Sequence, residues 1–184
     1  MSLLRRAGRV CAVGARGKAA AMLGALSVAV AFQTAAQDPY RSPEGDFAAA
    51  FPLAPTAQTR PARRSNDIAQ RRYVDEEDGR TFMVTVDEYP QNILPSAPDE
   101  GVYDRLLRSY AKADPNSLKS TRPTRLAGRP CLEGTYVDPD GNVQIIRVLM
   151  LGDRIYQVTY VHAAGVDAPG AGEAFFSSFK LLTP

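Results

Sequence analysis

The stretch NVQIIRVLMLGDRIYQVTYVH, residues 142–162, decides the fold. Val143, Ile145, Leu149 and Leu151 share one parity, and Ile146, Val148 and Met150 share the other. Arg147 is the only charge before the turn. A strand that is apolar on both faces is a central strand, covered above and below. Gly152-Asp153 turns the chain. Residues 154–162 then follow, rich in β-branched and aromatic side chains (Ile155, Tyr156, Val158, Thr159, Tyr160, Val161), which suit a pleated surface. This hairpin is the spine of a sheet.

Working backwards, residues 131–137 alternate as a strand, with Leu132, Gly134 and Tyr136 on one face and Cys131, Glu133, Thr135 and Val137 on the other. Asp138-Pro139-Asp140-Gly141 joins it to the spine as a turn, because proline presets φ and glycine accepts positive φ. Ala127-Gly128-Arg129-Pro130 is a second turn, preceded by a short strand over 117–126. Residues 99–113 carry Val102, Leu106, Leu107 and Tyr110 at helical spacing, with Ser96 or Asp99 suited to the cap. Further back, residues 67–74 and 80–89 pair across the acidic turn 75–79. Residues 53–64 read as a loop. Residues 45–52 read as a short edge strand stopped by Pro52. Residues 172–179 form a short helix whose Phe175, Phe176 and Phe179 must be buried.

The amino terminus reads as a secretory leader. Arg5, Arg6, Arg9, Arg16 and Lys18 precede an apolar run, residues 19–32, and Thr34-Ala35-Ala36 supplies small residues for cleavage after Ala36. The apolar run is shorter than the roughly 20 residues that a spanning helix needs. The domain plan is therefore a signal peptide (1–36), a flexible tail (37–44) and a single domain (45–184), with a periplasmic or secreted location. Removing the five leader cations from the 22 basic residues leaves 17 against 20 acidic ones, a net charge of −3. The basic balance of the whole chain belongs to the leader and gives no support for nucleic-acid binding. No stable membrane span is expected after leader removal.

Few side chains carry chemistry. Cys131 and His162 are the one cysteine and the one histidine after the leader. With Glu133 as orienter they would make a nucleophile and base, provided that the fold brings them within hydrogen-bond reach. One histidine and one cysteine do not make a zinc site. Asp138-x-Asp140-Gly141-Asn142 echoes part of a calcium loop, but Val143 and Leu149 stand where glycine and glutamate belong. The glycines of residues 165–172 lack the lysine and spacing of a phosphate loop. Arg60, Arg63, Arg64, Arg71 and Arg72 form a basic run that the acidic turn balances. No catalytic, cofactor-binding or metal residue is assigned, and no cofactor is expected.

Several short motifs resemble the PsbP-like family. Gly45-Asp46-Phe47 through Phe51-Pro52 resembles its G-x-F-x-x-x-F-P opening, and Leu126-Ala127-Gly128-Arg129-Pro130 its L-x-G-x-P turn. Arg154-Ile155-Tyr156 resembles its R-x-Y strand start, and Phe175/Phe176 to Ser178-Phe179 its closing F-x-x-S-F. The resemblance implies an α/β/α sandwich on a mostly antiparallel sheet of about six to seven strands. It also implies a binding or accessory role, because the family spans an extrinsic photosystem II subunit, a nuclear transport factor that binds a small GTPase, and many exported bacterial proteins. The expected function is thus a non-enzymatic exported domain, a monomer that docks an envelope protein. The alternatives are a small-ligand module with Tyr136, Tyr156 and Tyr160 lining a cleft, and a thiol hydrolase using Cys131 and His162.

Overall fold

The computed structural model describes residues 38–111, 114, 117–166 and 169–182. The leader read over residues 1–36 lies outside them. In chain order the elements are β1 (Tyr40–Arg41), β2 (Phe47–Ala49), β3 (Thr56–Arg60), β4 (Ala69–Glu77), β5 (Arg80–Glu88), α1 (Glu100–Tyr110), β6 (Leu118–Leu126), β7 (Arg129–Val137), β8 (Val143–Leu151), β9 (Arg154–His162), α2 (Pro169–Ser178) and β10 (Lys180–Leu181).

The main sheet has seven strands in the order β3-β4-β5-β9-β8-β7-β6, each antiparallel to its neighbours. Two meanders, β3-β4-β5 and β6-β7-β8-β9, meet where β5 pairs with β9. The β4–β5 turn is tighter than the acidic run suggests. The strand continues to Glu77, and Asp78 and Gly79 alone make the reversal at φ 48° and 72°. That double positive φ is the geometry of a two-residue hairpin turn.

The expected α/β/α sandwich is not what forms. The described residues are mostly β, with ten strands in two antiparallel sheets and two short helices. The reason is coverage. Seven strands spaced about 4.8 Å apart span roughly 30 Å, whereas a helix is about 10 Å wide. One short helix on each face cannot form a layer. On one face α1 packs against β6 and β7. On the other, α2 shares the cover with a second sheet of order β1-β2-β10. The segment expected as an edge strand, residues 45–52, therefore does not join the main sheet. Its β2 pairs with Tyr40–Arg41 on one side and Lys180–Leu181 on the other. The tail expected over 37–44 accordingly includes β1.

Each face has its own core. Beneath α1, Tyr103 and Leu107 pack on Leu132, Tyr136, Ile146, Val148, Met150 and Ile155. Asp99 caps the helix, its Oδ1 accepting from the Val102 amide at 2.9 Å. Tyr136 donates its hydroxyl to the Leu107 carbonyl at 2.7 Å. Gly134 admits the helix: a Cβ there would lie 3.2 Å from both Leu107 methyls. The opposite core is aromatic, with Phe47 against Phe179 at 5.6 Å and Phe82 against Phe175 at 5.3 Å between ring centroids. Gly172 lets α2 lie on β9, since a Cβ would come within 2.6 Å of the Tyr160 ring. Such a clash must move packed atoms, and interiors at crystal-like density resist that.

The small sheet is tied down by charge. Asp46 is 3% exposed. Its carboxylate accepts from Arg71 and from Arg154 Nη1, the latter at 2.6 Å. Arg71 also pairs with Glu88 at 3.2 Å. Two backbone ties add to this grip, Leu182 N to the Asp46 carbonyl at 3.0 Å and Leu53 N to Asp75 Oδ2 at 2.7 Å.

Candidate functional site

The residues expected to act together are kept apart. Leu132, next to Cys131, pairs with Val148, and Val148 pairs with Gln157. His162 pairs with Val143 at the far end of β8. Cys131 and His162 are thus separated by about six residues of strand, roughly 20 Å, and by two strand spacings. The thiol is buried, and burial pushes it up to about 11; Arg147 pulls it down and Glu133 adds to the rise. A thiol so raised holds almost no thiolate at neutral pH. The His162 ring turns its Nδ1 to the neighbouring Ala163 carbonyl at 3.2 Å and lies against Tyr160.

The three tyrosines do not line one cleft. Tyr136 faces α1, whereas Tyr156 and Tyr160 belong to the aromatic core on the other face, and all three are buried. The basic run is likewise divided. Arg71 is drawn into the Asp46 cluster, while Arg72, one residue on, points to the opposite face. Arg60, Arg63 and Arg64 are exposed. Asp138 serves its turn, accepting from the Asn142 amide and side chain at 2.8 and 2.7 Å. Among the described residues, no three His, Cys, Asp or Glu side chains gather as a metal set, and no helix is long and apolar enough to cross a membrane. Of the glycine-bearing loop 165–172, residues 167 and 168 lie outside the described residues.

The one charge inside β8 marks the site instead. Arg147 stands in the middle of β8, opposite Glu133 on β7, and Glu133 stands opposite Arg122 on β6. The three form a row across adjacent strands, with signs alternating. Glu133 is 4% exposed and Arg147 5%. Glu133 accepts from Arg122 Nε at 2.6 Å through one oxygen and from Arg147 Nε at 2.8 Å through the other. Burial alone would raise its carboxyl, but these two bonds and the two positive charges outweigh it and hold Glu133 below the usual carboxylate range. The outer edge of Arg147 meets Glu173 of α2, with Nη2 at 2.6 Å and Nη1 at 3.4 Å from its two oxygens. Phe176, one helical turn on, lies under the guanidinium at 4.3 Å, a cation–π contact.

Arg147, at the inner end of this row, lines a cleft of about 690 Å³ between α2 and the β6–β7 hairpin. Its apolar walls include Pro123, Pro130, Phe176 and Phe179, and its polar residues are Thr124, Arg125, Arg147, Glu173 and Ser177. The rim carries backbone strain. Ala127 takes φ 49° and Gly128 φ 75° to close the hairpin, and Arg125 Nη1 braces the turn through the Gly128 carbonyl at 2.7 Å. Positive φ is ordinary for glycine and strained for alanine, and such strain gathers at ligand clamps. The cleft therefore offers a buried planar cation, an aromatic face and apolar sides. That set is chemically suited to an anion.

Sequence reasoning saw Arg147 as an isolated charge and Glu133 as an orienter for a thiol. The signal that joins them was available: both stand seven residues from Asp140, the middle of the turn between them. Glu173 had no such signal. No protein-family model matches the chain, and a search of curated proteins returns no relative.

Proposed function

We propose that this chain is an exported, periplasmic, non-enzymatic binding domain, and that the Arg147 cleft is its binding surface. One observation carries the reading: a buried arginine on the central hairpin, gripped from behind by Glu133, presents its outer edge to an open cleft. Burying a charge costs several kcal/mol. An apolar residue would serve the core as well, so the guanidinium answers to something outside it. The leader pattern supports export. The short motifs shared with the PsbP-like family support an accessory character. The separation of Cys131 from His162 weighs against the thiol-enzyme alternative.

A photoreactive residue at Ser177, on the exposed rim of the cleft, tests the reading in cells that make the full chain. Capture of a partner is expected there. It should fall when excess unlabelled protein competes, and persist when the competitor is the Arg125→Glu variant. Equal capture from Thr59, on the far edge strand, would overturn the reading. For the alternative, Cys131 is expected to label with a thiol probe at neutral pH only after denaturation. Fast labelling of the folded protein that falls in His162→Ala would restore the enzyme.

A further inference from the structure

The two acids on Arg147 are not equivalent. Glu133 lies behind the guanidinium, fixed on a neighbouring strand and buried. Glu173 reaches in from the helix, and its side chain is 60% exposed against 6% for Arg147. Its grip is also uneven. An arginine–carboxylate fork at its best has two parallel bonds of about 2.7–2.9 Å. Here one arm is 2.6 Å and the other 3.4 Å. A solvated carboxylate, tethered to a helix and holding a buried guanidinium by one short arm, is a replaceable occupant.

Resting on the reading of this cleft as the binding surface, we propose that its ligand is a carboxylate, carried by a peptide C-terminus or a small organic acid. The ligand takes the place of Glu173 on the Nη1/Nη2 edge of Arg147. The charges agree with this exchange. With Glu173 turned to solvent, Arg122 and Arg147 face Glu133 alone, a local excess of one positive charge that an incoming anion cancels. The shape agrees as well. Phe176 covers one face of the guanidinium, and Pro123, Pro130 and Phe179 flank the space beyond it. The cleft has room for the apolar group that bears the carboxylate, as well as for the carboxylate itself.

The test is an amide NMR titration of the purified full-length chain with three probes: N-acetyl-tri-alanine, its C-terminal amide, and succinate, with chloride at matched ionic strength as the blank. Saturable shifts in β8 and α2 are expected with the free acids and not with the amide. Glu173→Gln removes the internal competitor and is expected to tighten binding about tenfold. Arg125→Gln is expected to weaken it. Binding of the tripeptide alone names a peptide terminus as the source, and binding of succinate alone names a small acid.

Equal binding of acid and amide would overturn the proposal. So would binding that Glu173→Gln leaves unchanged, because the carboxylate would then sit elsewhere. A Glu173→Gln protein with a native spectrum that binds none of the probes would overturn it too. Each of these leaves the binding-surface reading to be judged separately, by capture at Ser177.

Discussion

The aromatic face of the sheet holds two charge clusters, and they are built in opposite senses. Around Asp46, one buried acid sits between Arg71 and Arg154, and Glu88 and Glu44 close the outside. Around Arg147, one buried cation sits between Glu133 and Glu173, and a cleft opens beside it. The first cluster joins β2 to β4 and β9, so its bonds hold one sheet on another. The second joins three adjacent strands that backbone pairing already holds, and reaches α2 only through the exposed Glu173. Charge that fastens separate parts together serves stability. Charge placed where the backbone has already done the fastening, and left open on one side, is free for recognition.

The largest expected effect breaks the closed cluster. Asp46→Asn leaves two guanidinium groups facing a neutral amide beneath the small sheet, and removing one partner of a buried ion pair costs about 3–5 kcal/mol. Urea denaturation of the variant measures it. A loss below about 1 kcal/mol, the range of exposed pairs, would erase the distinction between the clusters.

Next, Glu133→Gln strikes the inner half of the open cluster. Glu173 and water from the cleft remain to serve Arg147, so the expected loss is smaller, about 2 kcal/mol, in the range of a hydrogen bond to a charged group. This change also has a pH signature. The folded carboxyl of Glu133 lies below its unfolded value. Its stabilising effect is therefore complete above the unfolded carboxylate range and is lost as pH falls through the depressed folded value. Stability measured from pH 7 down into the acid range should fall less steeply in Glu133→Gln than in the parent.

The strained rim gives a change of opposite sign. Ala127→Asn keeps the left-handed turn with a residue that tolerates it, and is expected to stabilise the protein by about 0.5–1 kcal/mol. Thermal unfolding reads the gain, and a loss would mean that the methyl group packs usefully in the hairpin. The smallest effect belongs to Glu173→Gln. As an exposed partner it should change stability by no more than about 0.5 kcal/mol. A loss as large as that of Asp46→Asn would make the two clusters alike.

The hairpins could be read from the chain because each carries its own signal. Alternation in residues 80–88 and 131–137, the two-sided apolar run of β8 and the Asp138–Asn142 turn are local features, and each strand formed where they lie. The 3.6-residue spacing placed α1 to within a few residues, and of the two candidate caps, Ser96 and Asp99, Asp99 takes the role. What failed was assembly. Strand β3 was read as loop because Thr56–Arg60 has no apolar face; it is an exposed edge held by its pairing with β4. The second sheet was invisible because β1 and β10 are two residues long and β2 finds them at opposite ends of the domain. The site was half legible. Glu133 and Arg147 are symmetric about a turn, but Glu173 arrives through the packing of α2, which Gly172 permits and no local pattern records.

The order in which the strands leave the ribosome bears on how this sheet closes. Strand β5 is made early, yet its second neighbour is β9, the last strand of the main sheet to be synthesised. Until residues 154–162 exist, β5 presents a free edge with Phe82, Val84 and Val86 on one side, and the second meander lacks the strand that docks on it. The central seam therefore joins segments more than 60 residues apart, and closing such a loop makes formation slow compared with the hairpins on either side. The two meanders should exist as separate, loosely ordered halves before the seam zips, and the waiting edge of β5 is the point at which this chain is most exposed to mispairing with another copy of itself.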